Sequence, residues 1–116
     1  MKSFSLPKNE RLLKRKDFVN LNRLGKRYRT EHFTVIFKEN GLNISRLGIT
    51  VNRKIGNAVK RNKVKRLIRE FFRLNKNCFP KGYDIVIIAN KNAYGLIFLN
   101  IKEELGEIIL GKKFCL

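Results

Sequence analysis

Residues 53–73 read RKIGNAVKRNKVKRLIREFFR, and the folding of this stretch decides how the rest of the chain is arranged. Nine of its residues are Lys or Arg, and its only acid is Glu70. Val64, Leu67, Ile68 and Phe71 fall at i, i+3, i+4 and i+7, the spacing of one helical face. At roughly 100° per residue, Asn62, Lys65, Arg66, Arg69 and Arg73 gather on the other side. The spacing predicts a helix with one face in a core and the other directed at negative charge. Gly56 supplies a turn, Asn57 an N-cap, and a helix N-terminus itself suits phosphate oxygens. Basic amphipathic helices also lie on membranes, bind acidic proteins or simply face solvent, so the helix alone does not name a partner.

The whole chain carries a net charge of +18, from 27 basic and 9 acidic residues among 116. Such self-repulsion implies a polyanionic partner, RNA or DNA first and an anionic membrane surface second. Hydrophobic content of 43% is enough for folding. The length suits a single domain, residues 1–116, with one modest core. Residues 1–13 read as a basic irregular lead-in, where Pro7 discourages an early helix. Cys78 and Cys115 form neither a disulfide framework nor a zinc pattern, so no disulfide partner is expected and both suit a reducing cytoplasm as half-buried thiols. An uninterrupted apolar signal-peptide region is missing, as is any run of about 18 apolar residues, so nothing is expected to span a membrane and no membrane partner is assigned.

Along the chain, a first helix is expected over Lys14–Leu24, stopped by Gly25, with Phe18 and Leu21 facing the same way. The basic segment Gly25–Thr30 reads as a mobile link. His32–Lys38 alternates as a strand with Phe33, Val35 and Phe37 on one face. Asn40-Gly41 marks a turn, which suggests an antiparallel connection to a second strand over Arg46–Asn52. There Leu47, Ile49 and Val51 face the core, while Gly48, Thr50 and Asn52 form a small polar face that something must cover or bind. After the basic helix and a loop over Asn75–Gly82, Tyr83–Ala89 is nearly continuous apolar and reads as a buried central strand. A final helix over Leu96–Leu110 is expected to bury Ile97, Ile101, Leu105, Ile108 and Ile109, with Glu103, Glu104 and Glu107 toward solvent. The fold class is α+β: a small mixed sheet packed with helices and covered on one face, in the order α-β-β(-β)-α-β-α. General packing favours a right-handed crossover between Val51 and Tyr83.

A catalytic centre is hard to assemble from these residues. Metal-free RNA cleavage needs a pair such as two histidines or His with Lys, and His32 is the one histidine, expected as a surface or packing residue. Metal-dependent cleavage needs clustered carboxylates, and the acids gather only on the last helix, as a solvated face. No catalytic and no metal-ligating residue is assigned. An RNA-binding surface, by contrast, is well supplied. Arg61, Lys65, Arg66 and Arg69 offer charge-assisted bonds to phosphates, and Asn62 both donates and accepts. Thr50, Asn52, Arg53 and Lys54 offer a second surface beside Phe18, which reads either as a stacking platform for unpaired bases or as ordinary core.

The string Leu47-Gly-Ile-Thr-Val51, then Asn-Arg-Lys-Ile-Gly-Asn-Ala-Val59, then Lys-Arg-Asn-Lys-Val-Lys-Arg66 closely resembles the signature of the bacterial ribonuclease P protein subunit. Its Arg-Asn-Arg triplet here reads Arg61-Asn62-Lys63; Lys63 keeps the charge without the planar fork. The likeness runs from about Leu12 to Leu110. It implies a ribosomal protein S5 domain 2-like fold with a left-handed βαβ crossover, against the general expectation. It also implies an accessory protein subunit of an endoribonuclease whose catalytic RNA removes the 5′ leader of precursor tRNA. The implied partners are that RNA, in a 1:1 ribonucleoprotein, and precursor tRNA. No cofactor is bound by the protein alone, and magnesium enters through the RNA subunit. Arg61, Asn62, Lys63, Lys65, Arg66 and Arg69 would lie on the catalytic-RNA side. Phe18, Thr50, Asn52, Arg53 and Lys54 would line the leader cleft. A second aromatic one turn after Phe18, frequent in that family, is replaced by Asn22. The main alternative is a basic ribosomal or other structured-RNA-binding protein with no processing role; a protein-only nuclease and a membrane-surface protein fit the residues less well.

Overall fold

The chain folds, in a computed structural model that describes residues 8–11, 15–79 and 81–111, into three helices and four strands. In chain order these are α1 (Arg15–Leu24), β1 (Lys26–Arg29), β2 (Phe33–Glu39), β3 (Arg46–Val51), α2 (Ala58–Leu74), β4 (Tyr83–Ala89) and α3 (Phe98–Gly111). Short 3-10 turns occur at Lys8–Glu10, Arg53–Ile55, Lys76–Cys78 and Lys91–Ala93. Most of the basic lead-in and the second thiol, Cys115, lie outside the described residues.

The apolar run of β4 takes the centre of a sheet ordered β1-β2-β4-β3. Ile85, Val86, Ile87 and Ala89 are all buried, as a strand covered on both faces requires. β4 pairs antiparallel with β2 and parallel with β3, so the chain crosses from β3 to β4 through α2. The expected antiparallel connection between β2 and β3 therefore does not form a hairpin: the two run in opposite directions, with β4 between them. The Asn40 side chain shapes the intervening loop, accepting from the Leu42 N–H and donating to the Ile44 carbonyl. Its backbone N–H donates to Gly82 just before β4. The loop thus bends across the entry to β4 and leaves the edge of β2 to the strand with more apolar surface to bury.

The segment expected as a mobile link is strand β1 over Lys26–Arg29, paired with β2. Tyr28 anchors it, its ring edge-on to Phe37 at 5.7 Å. Both sheet faces are covered, not one. On the first, Phe33, Val35, Phe37, Leu47, Ile85 and Ile87 pack against Val64, Ile68 and Phe71 of α2 and Ile101, Leu105, Ile108 and Ile109 of α3. On the second, Leu21 and Phe18 of α1 pack onto Ile36, Val86 and Ile88. The polar-looking face of β3 thus has neighbours apolar enough to dock one short helix.

The last helix begins later than expected. Gly95 adopts a positive φ of 92°, and the Asn100 side chain accepts from the Ile97 N–H. Ile97 therefore precedes the helix and is 56% exposed instead of buried. Glu104, expected at the solvent face, turns inward instead. It accepts from the Thr30 hydroxyl and from the His32 N–H at 2.6 Å, and lies 2.7 Å from His32 Nδ1. Burial alone would raise its pKa; the bonds from Thr30 and His32 outweigh that and hold it below the usual 4.5. A carboxylate lowered in this way contributes stability that is complete above its unfolded-state pKa and is lost as pH falls through the folded value. Melting temperature is expected to fall less steeply below about pH 4.5 in Glu104→Gln than in the parent chain, as thermal melts across pH would show. Parallel profiles would remove Glu104 from the acid response.

Candidate nucleic-acid interface

The basic helix is built as its local sequence dictates. Asn57 caps it, its side-chain oxygen accepting from the Lys60 N–H at 3.1 Å. Gly56 has φ 149°, a backbone conformation that side-chain-bearing residues rarely adopt, so the turn into α2 favours glycine. Val64, Ile68 and Phe71 are buried and Leu67 partly so. On the remaining surface Asn62, Lys63 and Arg66 are exposed, with Arg61, Lys65 and Arg69 half-buried at its flanks. Among the described residues no carboxylate pairs with Arg61, Lys63, Lys65 or Arg69. Arg61 Nε is shielded from solvent and has no hydrogen-bond partner. This face concentrates cations, four of which have no carboxylate partner among the described residues.

Three residues join that helix to the second predicted surface. Asn52 ends β3, and its side chain accepts from the Lys54 N–H at 2.8 Å, closing the 3-10 turn Arg53–Ile55. Ile55 is buried, whereas Asn52, Arg53 and Lys54 are exposed. The register places Thr50 beside Ile88, Ile88 beside Thr34, and Thr34 beside Arg29, one row across the face that α1 partly covers. Thr50 is exposed at the β3 end of that row. Phe18 is half-buried against the cluster beside which Ile88 of the same row also packs. Phe18 is thus neither wholly core nor free of it. The Asn22 position is engaged from the sheet: Arg27 Nη2 donates to the Asn22 backbone carbonyl at 3.1 Å and lies 3.4 Å from its side-chain oxygen.

Arg27 and Arg29 lie on this same sheet face, beside Ile36 and Thr34, where reading Lys26–Arg29 as a link does not place them. The usable signal was alternation, with Tyr28 inward between two arginines. A 740 Å³ cavity at the N-terminal end of β2, lined in part by Arg29, Glu31, His32, Glu103, Glu104 and Glu107, gathers four of the nine acids. No three His, Cys, Asp or Glu among the described residues are placed to hold a metal ion. None of the described helices is long and apolar enough to cross a membrane.

The family model for ribonuclease P matches residues 6–112. The chain belongs to the bacterial ribonuclease P protein family. It is 50% identical over 109 residues to the ribonuclease P protein component of Syntrophus aciditrophicus, covering 94% of this chain and 92% of that one. The ribonuclease P protein of Thermotoga maritima superposes with a TM-score of 0.79 at 44% identity, over 86% of this chain and 94% of that chain. For the Staphylococcus aureus protein the TM-score is 0.83 at 35% identity, over 90% and 96%. The four-stranded mixed sheet with three helices is accordingly the ribosomal protein S5 domain 2-like fold of the ribonuclease P proteins. Membership makes the chain a component of an endoribonuclease complex with an RNA partner.

Proposed function

We propose that this chain is the protein subunit that helps a catalytic RNA remove the 5′ leader of precursor tRNA, in a 1:1 cytoplasmic ribonucleoprotein. The observation that carries the reading is the α2 face, where Arg61, Lys63, Lys65 and Arg69 find no described carboxylate. Phosphates of the catalytic RNA are the natural counter-charge for it, with Asn62 and Arg66 completing the contact. The sheet face beside α1 then takes the single-stranded leader: Phe18 gives a face for a base, Thr50 and Asn52 give hydrogen bonds, and Arg53 and Lys54 meet phosphates. Cleavage itself belongs to the RNA, which also holds the magnesium. The protein neutralises phosphates that would otherwise repel substrate and RNA from each other, and so lowers the magnesium the complex needs.

The test is reconstitution. At low magnesium, a precursor tRNA with a 5′ leader is expected to be cut when this protein and a bacterial ribonuclease P RNA are both present, and by neither alone. Cleavage by the protein alone would overturn the assignment of catalysis to RNA. Absence of stimulation at every salt concentration would overturn the subunit reading in favour of another structured-RNA-binding role. Within the active complex, Phe18→Ala is expected to weaken leader-bearing precursor binding by about 1–3 kcal/mol and to spare mature tRNA. Equal loss for both substrates would remove Phe18 from the leader contact.

A further inference from the structure

Helix α1 has few residues with which to hold its place. It is ten residues long, too short to be stable alone, and Leu21 is its one fully buried side chain. Polar contacts secure both ends. Toward the C-terminus are the Arg27–Asn22 bonds already described, together with Gly25, where a Cβ would meet Ile36 Cγ2 at 2.5 Å. Toward the N-terminus, Asp17 Oδ2 lies 3.6 Å from Arg46 Nη1. The Arg46 guanidinium is itself immobilised: Nε and Nη2 each donate to Asp84 at 2.8 Å. Asp84 is buried in the central strand, and its Oδ1 also accepts from Asn40 Nδ2 at 2.9 Å. A three-residue chain of charge therefore runs from the middle of the sheet to the residue next to Phe18.

The placement of Asp17 is electrostatically unfavourable for a groove that binds a polyanion. With only nine acids against 27 basic residues, a carboxylate beside the groove wall repels the ligand the rest of the surface attracts. Its gain must lie in geometry. We infer that Asp17, Arg46 and Asp84 form a positioning relay that fixes where α1, and with it the Phe18 ring, stands over the Thr50–Ile88 floor. This rests on the reading of the groove as the leader site. Asp17 acts through Phe18 and touches no RNA itself.

The experiment uses full-length protein assembled with ribonuclease P RNA, and reads the ratio of affinities for leader-bearing precursor and mature tRNA. Asp17→Asn keeps the volume and leaves Arg46 held by Asp84. It is expected to lower the ratio by about threefold to tenfold in the parent chain and by less than about twofold in the Phe18→Ala background. Affinity for the catalytic RNA alone is expected to stay unchanged, a readout that a general loss of fold would move. Arg46→Lys, which keeps the charge and loses the bidentate clamp, is expected to lower the ratio in the same way. A ratio that rises or holds after Asp17→Asn would overturn the relay, since removing a repelling charge acts in that direction. Equal falls in both backgrounds would also overturn it, because Asp17 would then act independently of Phe18. If the parent complex shows no preference for a leader, the leader reading itself fails and takes the relay with it.

Discussion

Replacing Arg61, Lys65 and Arg66 together by alanine is expected to flatten the salt dependence of binding to ribonuclease P RNA by about 2 to 3 units in log K against log salt. The reason is counterion release: each phosphate neutralised by a cation frees about 0.7–0.9 of a condensed ion, so three lost contacts remove that much slope. Because the electrostatic contribution shrinks toward molar salt, the same loss appears at 0.1 M salt as a roughly hundredfold weaker complex. The fold is expected to persist. Arg66 is exposed, Arg61 and Lys65 are half-buried, and the stripe Val64, Ile68 and Phe71 that docks the helix is untouched. Titrations at four or five salt concentrations measure the slope, and a thermal melt checks the fold. An unchanged slope in a folded variant would remove α2 from the interface.

Phe72→Ala is expected to destabilise the protein by about 3–5 kcal/mol without touching any cation. Phe72 lies off the i, i+3, i+4, i+7 stripe of α2, and periodicity alone leaves it unassigned. In the structure it is 2% exposed, with its ring 4.7 Å from that of Phe79 at 64°. Phe71 meets the same Phe79 ring at 5.9 Å and 72°, so the two neighbours grip one aromatic from adjacent sides. Truncating Phe72 removes an edge-to-face partner as well as buried area. Urea titration reads the loss as a shifted midpoint with little change in slope. A cost under about 1 kcal/mol would mean that the Phe72 site collapses freely and that Phe79 is held by Phe71 alone.

The basic helix was legible almost to the residue, including its cap at Asn57 and its buried Val64, Ile68 and Phe71. The reason is that cap, turn and stripe are relations between residues at most a few turns apart, and those relations follow from helix geometry. The same holds for β4, whose unbroken apolar run marks a strand buried on both faces. The Arg61–Arg69 cations were placed on a common surface for the same local reason. The string shared with the ribonuclease P proteins carried the functional reading further than charge could, since net charge names only a polyanion.

What the chain order concealed is the order in space. Nothing in Glu39–Ser45 announces that β4, and not β3, will pair with β2; that choice depends on which strand best covers both faces of the sheet once all are present. Whether Phe18 belongs to core or groove likewise depends on Ile36, Val86 and Ile88 beneath it. The turned-in Glu104 meets His32 across 72 positions of sequence, and Arg46 meets Asp84 across 38. Sequence by itself determined the basic helix, the central strand, the charge of the helix face and the family, because each is written in neighbouring residues. Tertiary structure alone decided strand order, the docking of α1 and the long-range ionic contacts, because a charge is held inward only where distant segments supply the partner that offsets its desolvation.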